Sequence, residues 1–124
     1  MIAVIFEVEP ALDGRQEYLD LAAALRADLE RIDGFITVER FQSVTNPDKL
    51  VSLSFWRDHA SIDAWRRLES HRAAQQRGRH SLFRSYRLRI AEVVRDYGME
   101  DRAQAPADSR AAHDRIGGVN GHAD

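Results

Sequence analysis

The residues best suited to chemistry are concentrated in one stretch, FWRDHASIDAWRRLESHRAAQQRGR, residues 55–79. It contains two tryptophans, two histidines and six arginines. A histidine titrates near neutral pH and can act as a general base. Polar groups that converge on an apolar cleft are typical of a small-molecule site. The stretch therefore predicts such a site, provided that its aromatic and polar side chains share one face.

A helix over this stretch, turning about 100° per residue, does present one mixed face. The candidate catalytic residues on it are Trp65 and His71, and the candidate substrate-binding residues are Ser61, Leu68, Arg72 and Gln75. A different interpretation stays open, because an inward tryptophan is commonly core and a buried histidine is commonly a hydrogen-bonded structural residue.

Residue types elsewhere narrow the chemistry. Cysteine is absent, which removes disulfides and thiolate catalysis and is compatible with a cytoplasmic protein. No H-x-x-x-H pair occurs, so we expect no dedicated metal site. Trp56 is expected to pack at a strand end or in a dimer contact. Arg87 or Arg89 is a further candidate for an anion-binding residue in the cleft, although a salt bridge at the rim or at an interface is the favoured interpretation.

The distributions of charged and apolar residues argue against nucleic acid and membrane as partners. Residues 66–89 carry one acid and eight arginines, which favours a solvated helix face but also allows attraction of an anion. The whole chain has a formal net charge of −2, and aromatic residues do not alternate with the arginines, so nucleic acid is not expected as a partner. No apolar run approaches the roughly 18 residues that would cross a membrane.

The elements that position the helix follow from hydrophobic periodicity. Residues 2–9 alternate as a strand, 15–31 have helical spacing after Asp13 as the expected N-cap, and 35–44 and 50–56 form a hairpin around TNPDK. The second helix is expected from near Asp58 to Gly78, and the fourth strand over 82–97.

The order β-α-β-β-α-β predicts an α+β fold of the ferredoxin-like type, an antiparallel sheet with two helices on one face. Both sheet faces carry apolar residues; one set is Ala3, Ile5, Val51, Leu53, Phe55, Ala91 and Val93. Whether this set faces the helices or the open side depends on the strand register, which stays open. Either way one apolar face lacks a cover, which predicts a homodimer whose sheets pack into an α+β barrel.

Two parts of the chain are expected to differ in order. Residues 1–97 form the predicted domain, and residues 98–124 form a C-terminal extension with few large apolar residues. We expect the extension to be disordered at least beyond Gly117, with wrapping around a partner subunit as the alternative.

Residues 1–96 resemble the antibiotic biosynthesis monooxygenase superfamily of dimeric α+β barrels. The likeness is carried by DGRQEYLDLAAALRADLERIDGF and SLSFWRDHASIDAWRRLESHRAA. It includes a tryptophan that ends strand three, an acidic residue soon after it, and a helix with a second tryptophan and a histidine, here Trp56, Asp58, Trp65 and His71.

The resemblance implies a pocket between sheet and helices with Trp65 in its wall. It also implies a reaction in which an aromatic phenol or quinol itself supplies the electrons to O₂, with no flavin, haem or metal as cofactor. The protein then needs only to bind the substrate, favour its anion and exclude water.

Departures from the family pattern keep other functions open. Polyketide monooxygenases have an asparagine where Ser61 stands and a tyrosine near His71, so His71 would draw the phenol proton. Haem-degrading members need an asparagine and a histidine where Glu7 and Gln75 stand. We therefore predict a cofactor-independent monooxygenase, with a non-catalytic small-molecule-binding module or a haem-binding protein as alternatives.

Overall fold

The computed structural model describes residues 1–75 and 82–112, with side chains described up to Leu68 and again from Leu82. Its elements are β1 (Ile2–Pro10), α1 (Arg15–Glu30), β2 (Phe35–Gln42), β3 (Leu50–Trp56), α2 (His59–Gln75) and β4 (Phe83–Glu92). The four strands form one antiparallel sheet in the order β2-β3-β1-β4. The predicted ferredoxin-like fold is confirmed.

The strand register decides which side chains face the helices. Ile2, Val4, Phe6 and Val8 lie on the helix side, together with the residues paired to them on β3 and β4. Two rows cross the middle of this face: Arg40–Ser52–Phe6–Leu88 and Val38–Ser54–Val4–Ile90. The register question left open by the sequence is thereby answered.

The opposite face of the sheet is partly apolar and partly charged. Its apolar residues include Ala3, Ile5, Val51, Leu53, Phe55 and Ala91. Val93 does not belong to this set, because β4 ends at Glu92 and not at residue 97 as the sequence pattern suggested. The alternation that continues past Glu92 therefore does not correspond to sheet pairing.

The helix starts differ in how their free amides are satisfied. Gly14, and not Asp13, is the N-cap of α1, and no side chain caps this helix. Asp58 caps α2, since its carboxylate accepts hydrogen bonds from the Ser61 amide at 3.0 Å and hydroxyl at 2.6 Å. The expected end of α2 at Gly78 lies outside the described residues.

One glycine is required by the packing beneath α2. Gly34 has φ +97°, a left-handed conformation, and a Cβ there would lie 1.9 Å from the Ser61 Oγ. The turn between α1 and β2 therefore passes close against the first turn of α2, and only a residue without a side chain fits.

The core of the sheet–helix layer consists of two clusters of buried side chains at opposite ends of the strands. One contains Ile2, Leu29, Val38, Trp56 and Ile62. The other contains Val8, Tyr18 and Leu50. Large residues thus close both ends of the layer.

The chain divides into two compact units, Met1–Glu92 and Val93–Asp124. In the second unit, the Arg102 guanidinium lies 5.3 Å from the centre of the Tyr97 ring and donates to the Ser109 hydroxyl at 2.7 Å. The expected disorder beyond Gly117 falls outside the described residues. In the described part of the chain, no helix has the length and apolar character to cross a membrane.

Candidate functional site

A cavity of about 350 Å³ lies between the two core clusters, enclosed by the sheet and both helices. In the register that the sheet adopts, the helix-facing residues of β3 are Leu50, Ser52, Ser54 and Trp56. The two large residues fill the ends of the layer, and the two serines leave space between them. The volume lies within the range of small-molecule sites in proteins, which starts at roughly 300 Å³.

The cavity wall is mostly apolar. Helix α1 contributes Leu21, Ala22 and Leu25, and the edge strand β4 contributes Tyr86, Leu88 and Ile90. The β4 side chains remain partly open to solvent; Leu88 is 48% exposed. The cavity wall is therefore apolar on the α1 side, and the cavity is accessible along the β4 edge.

Trp65 lies in the wall of the cavity, the position that the family resemblance implied. Its side chain is half-buried and packs against the cluster around Trp56. Ile62 and Arg66 of α2 line the cavity beside it. The second tryptophan, Trp56, is only 1% exposed and donates its indole N–H to the Ser54 hydroxyl at 2.8 Å, so it is a packing residue that also borders the cavity.

The other predicted site residues are not all brought together. Ser61 is buried, and its hydroxyl is bonded to Asp58 and does not line the cavity. Leu68 is half-buried on α2 outside the cavity lining. The side chains of His71, Arg72 and Gln75 lie outside the described residues, so their proposed roles stay predictions.

Charged side chains outside the cavity stabilise the start of α2. Arg57 donates to both carboxylate oxygens of Asp33 at 3.0 Å and to Asp58 at 3.0 Å. The hydrogen bonds from the Ser61 hydroxyl and amide, and that from Arg57, lower the pKa of Asp58 to about 2. The bond from Arg57 also lowers the pKa of Asp33. This cluster holds the helix start and takes no part in the cavity.

The arginines of β4 that the sequence offered for the cleft do not line it. Arg89 pairs with Glu7 on the opposite face of the sheet, where Lys49 also bonds Glu7 at 3.3 Å. The bond from Lys49, followed by that from Arg89, lowers the pKa of Glu7. Arg87 alternates with Leu88 and points away from the cavity with Arg89. Arg89 thus forms a salt bridge on the sheet face away from the cavity, and not at the cavity rim.

The sequence analysis missed Arg40 of β2, which does line the cavity. Its Nε atom is shielded from solvent and has no hydrogen-bond partner. The available signal was the alternation of β2, in which Arg40 has the same parity as buried Val38. An arginine at an apolar position of a strand is a departure from the pattern that marks a functional or strained site.

The arrangement can enclose a small, largely apolar molecule and keep water from most of its surface. Its described polar groups are Arg40, Arg66, the two serines and the phenols of Tyr18 and Tyr86. None of these is a histidine or carboxylate that would accept a proton near neutral pH. Across the described side chains, no three histidine or acidic groups come together as a metal site would need.

Comparison with known proteins gives a family match over the first part of the chain. The family model described as antibiotic biosynthesis monooxygenase matches residues 1–77. The jasmonate monooxygenase ABM of Pyricularia oryzae is 43% identical over 94 residues, which are 76% of this chain and 44% of that protein. The uncharacterized protein YqjZ of Bacillus subtilis is 36% identical over 63 residues, 50% of this chain and 53% of its own. The chain thus spans about half the length of these relatives.

Solved structures share the fold at lower identity. The haem-degrader MhuD from Mycobacterium tuberculosis, solved with two haems bound in its active site, superposes with a TM-score of 0.62. The match has 19% identity and covers 79% of this chain and all of that chain. Likeness at this identity is evidence for the fold alone.

Proposed function

Because the chain belongs to the antibiotic biosynthesis monooxygenase family, we propose that it inserts one atom of O₂ into a small, largely apolar molecule held in the cavity. The observation that carries the proposal is the cavity itself, about 350 Å³ in volume, with Trp65 in its wall and two serines in its floor. A family match together with a pocket of the right size supports an enzyme more directly than either does alone.

We propose a phenol or quinol as the substrate class, because such a molecule can supply all the electrons for the reaction. The phenolate transfers one electron to O₂, and the resulting phenoxyl and superoxide radicals combine to form a carbon–oxygen bond. Loss of water from this peroxide gives a quinone. One oxygen atom enters the product and the other leaves as water, so no external reductant or protein-bound cofactor takes part.

The proposed roles of the residues follow from this reaction. Trp65 and the apolar wall of α1 enclose the ring and exclude water, which strengthens electrostatic interactions within the site. His71 draws the phenol proton, and Arg72 and Gln75 remain proposed substrate contacts from the sequence, whereas Leu68 and Ser61 lie outside the cavity lining. Ser61 would then act through the start of α2, because its hydroxyl is bonded to Asp58.

The relative from Pyricularia oryzae supports monooxygenase chemistry by its name, jasmonate monooxygenase. Jasmonate is not a phenol, so this name does not support the phenol class in particular. A substrate panel for the present chain therefore has to include jasmonate beside hydroquinones and hydroxylated polycyclic aromatics.

Oxygen uptake by metal-stripped protein tests the proposed function. We expect uptake with at least one member of the panel, reduced several-fold in Trp65→Phe and roughly 100-fold in His71→Ala, the typical effect of losing a general base. His59→Ala is the matched control, because His59 is an exposed residue of the same helix and does not line the cavity. Its uptake should equal that of the wild type.

Two results would contradict the proposal. The absence of uptake above background with every member of the panel, combined with saturable binding of one of them, would favour the non-catalytic binding module. Uptake that is equal in wild type and His71→Ala would remove the general-base role from His71. A haem titration would follow the first result, with His71→Ala as the variant that should abolish a Soret shift.

We further propose that the protein acts as a homodimer. The apolar part of the sheet face opposite the helices, formed by Ile5, Leu53, Phe55 and Ala91, supports this proposal. Phe55 is half-buried there and pairs with Ala3 across the strands. Packing of two such faces would remove apolar surface from water and form the α+β barrel expected from the sequence.

A further inference from the structure

The geometry points to an anion-recognition site within the cavity: we propose that Arg40 and Ser52 together bind a carboxylate group carried by the substrate. This inference rests on the proposed function only in taking the cavity as the substrate site. It adds a substrate class, an apolar molecule with one carboxylate, and two specificity-determining residues that the sequence analysis did not identify.

The two residues are neighbours on the floor of the cavity. Arg40 of β2 and Ser52 of β3 are direct cross-strand partners in the antiparallel register, and both line the cavity. Side chains at such positions start about 5 Å apart at their Cβ atoms. One group of a ligand can therefore touch the guanidinium and the hydroxyl at the same time.

Among the residues that the structure describes, neither Arg40 nor Ser52 has a partner that explains its position. The Arg40 Nε–H is shielded from solvent and lacks an acceptor, and no hydrogen bond or ion pair is observed for either side chain within the described part of the chain. The neighbouring Ser54 differs in this respect, because its hydroxyl accepts the indole N–H of Trp56. A buried donor without an acceptor is unfavourable, so a ligand that supplies the acceptor gains affinity.

The charge of the cavity selects the sign of that ligand group. Arg40 and Arg66 are the charged residues of the described lining, and no carboxylate there neutralises them. Arg66 is exposed and screened by water, whereas the Nε atom of Arg40 is not. A single guanidinium among apolar walls favours one singly charged anion over a neutral group.

A carboxylate fits this donor set better than other anions. The planar guanidinium can donate two parallel hydrogen bonds to the two oxygens of a carboxylate. The remaining lone pairs of the carboxylate can accept a hydrogen bond from the serine hydroxyl. A phosphate carries more charge than the single guanidinium of Arg40 balances. The apolar wall formed by Leu21, Ala22 and Leu25 would then hold the carbon skeleton of the acid.

Binding of a matched pair of ligands tests the inference without relying on turnover. Naphthaleneacetate and naphthaleneacetamide have the same ring and nearly the same shape and differ in charge. Their dissociation constants would be measured by titration calorimetry with the wild type, Arg40→Gln, Arg40→Lys and Ser52→Ala. Arg87→Gln is the control, since it removes the same charge from the opposite face of the same sheet.

We expect the wild type and Arg87→Gln to bind the carboxylate roughly 10- to 100-fold more tightly than the amide, the usual effect of a hydrogen-bonded charge. Arg40→Gln should abolish this preference, Arg40→Lys should keep part of it, and Ser52→Ala should reduce it several-fold. If Arg40→Gln does not fold, as judged by circular dichroism, the lysine and alanine variants carry the test.

Three outcomes would overturn the inference: equal affinity of the wild type for both ligands, an unchanged preference in the Arg40 variants, or an equal loss in Arg87→Gln. Oxygen uptake with naphthol on the same preparations separates this inference from the proposed function. If the Arg40 variants lose the preference for the carboxylate and the wild type shows no oxygen uptake, the anion site is supported and the monooxygenase function is contradicted. If the wild type takes up oxygen but binds the carboxylate and the amide equally, the monooxygenase function is supported and the anion site is contradicted.

Discussion

Ser54 shows how one residue can serve the core and the cavity together. Its small side chain leaves space in the middle of the sheet, and its hydroxyl accepts the indole N–H of Trp56. Ser52, two residues earlier, contributes the same space without this bond. The two serines therefore have the same size but different consequences for stability, which a pair of alanine variants can separate.

We expect Ser54→Ala to lower the free energy of unfolding by about 1–3 kcal/mol, because it leaves the buried Trp56 N–H without an acceptor. Urea unfolding followed by tryptophan fluorescence measures the effect. Ser52→Ala is the matched control and should change stability by less than about 0.5 kcal/mol. If both variants lose the same free energy of unfolding, the hydrogen bond between Trp56 and Ser54 makes no contribution of its own to stability.

At the scale of elements, the start of α2 positions the wall that contains Trp65. Asp58 caps the helix through Ser61, Arg57 ties this cap to Asp33, and Gly34 allows the chain to pass beneath it. The acidic residue and the serine that the sequence associated with the site thus act on the helix start. Their effect on the cavity is indirect, through the placement of α2.

The cap makes stability depend on pH in a defined window. The pKa of Asp58 falls from its ordinary 3.8 to about 2 in the folded chain, so its contribution is complete above pH 3.8 and is lost as the pH falls toward 2. We expect the urea midpoint of Asp58→Asn to fall less than that of the wild type between pH 5 and pH 3, since asparagine caps without a charge.

Asp63→Asn is the control for this pH dependence, because Asp63 is exposed on the same helix. Its urea midpoint should follow the wild type at each pH. If the urea midpoint of Asp58→Asn depends on pH as strongly as that of the wild type, other carboxylates cause the acid sensitivity. Glu7 and Glu9 are candidates, because hydrogen bonds from Lys49 and Arg84, respectively, lower their pKa values.

For the whole molecule, the two faces of the sheet have separate tasks. The helix side encloses the cavity, and the other side carries apolar residues at one end and ion pairs at the other, with Glu9 bonded to Arg84 at 2.7 Å and Glu7 to Lys49. Charged pairs beside an apolar patch favour one orientation of a partner over others. The proposed dimer would use the apolar end.

Phe55→Glu tests the dimer. A buried carboxylate without a partner strongly disfavours an interface, so we expect the variant to sediment as a monomer where the wild type sediments as a dimer. Val44→Glu makes a comparable change at a side chain that is 96% exposed and should remain dimeric. A wild type that is monomeric at every concentration tested by analytical ultracentrifugation would contradict the proposal.

The sequence by itself determined the order of the elements, the alternation of β1 and the inward position of Trp65. These features depend on local periodicity, in which one residue follows another at a fixed angle. Tertiary structure alone decided the cavity, the position of Arg40 beside Ser52, and the pairing of Arg89 with Glu7. Each of these depends on the register between strands far apart in the chain, and a shift of one residue would exchange the two faces of the sheet.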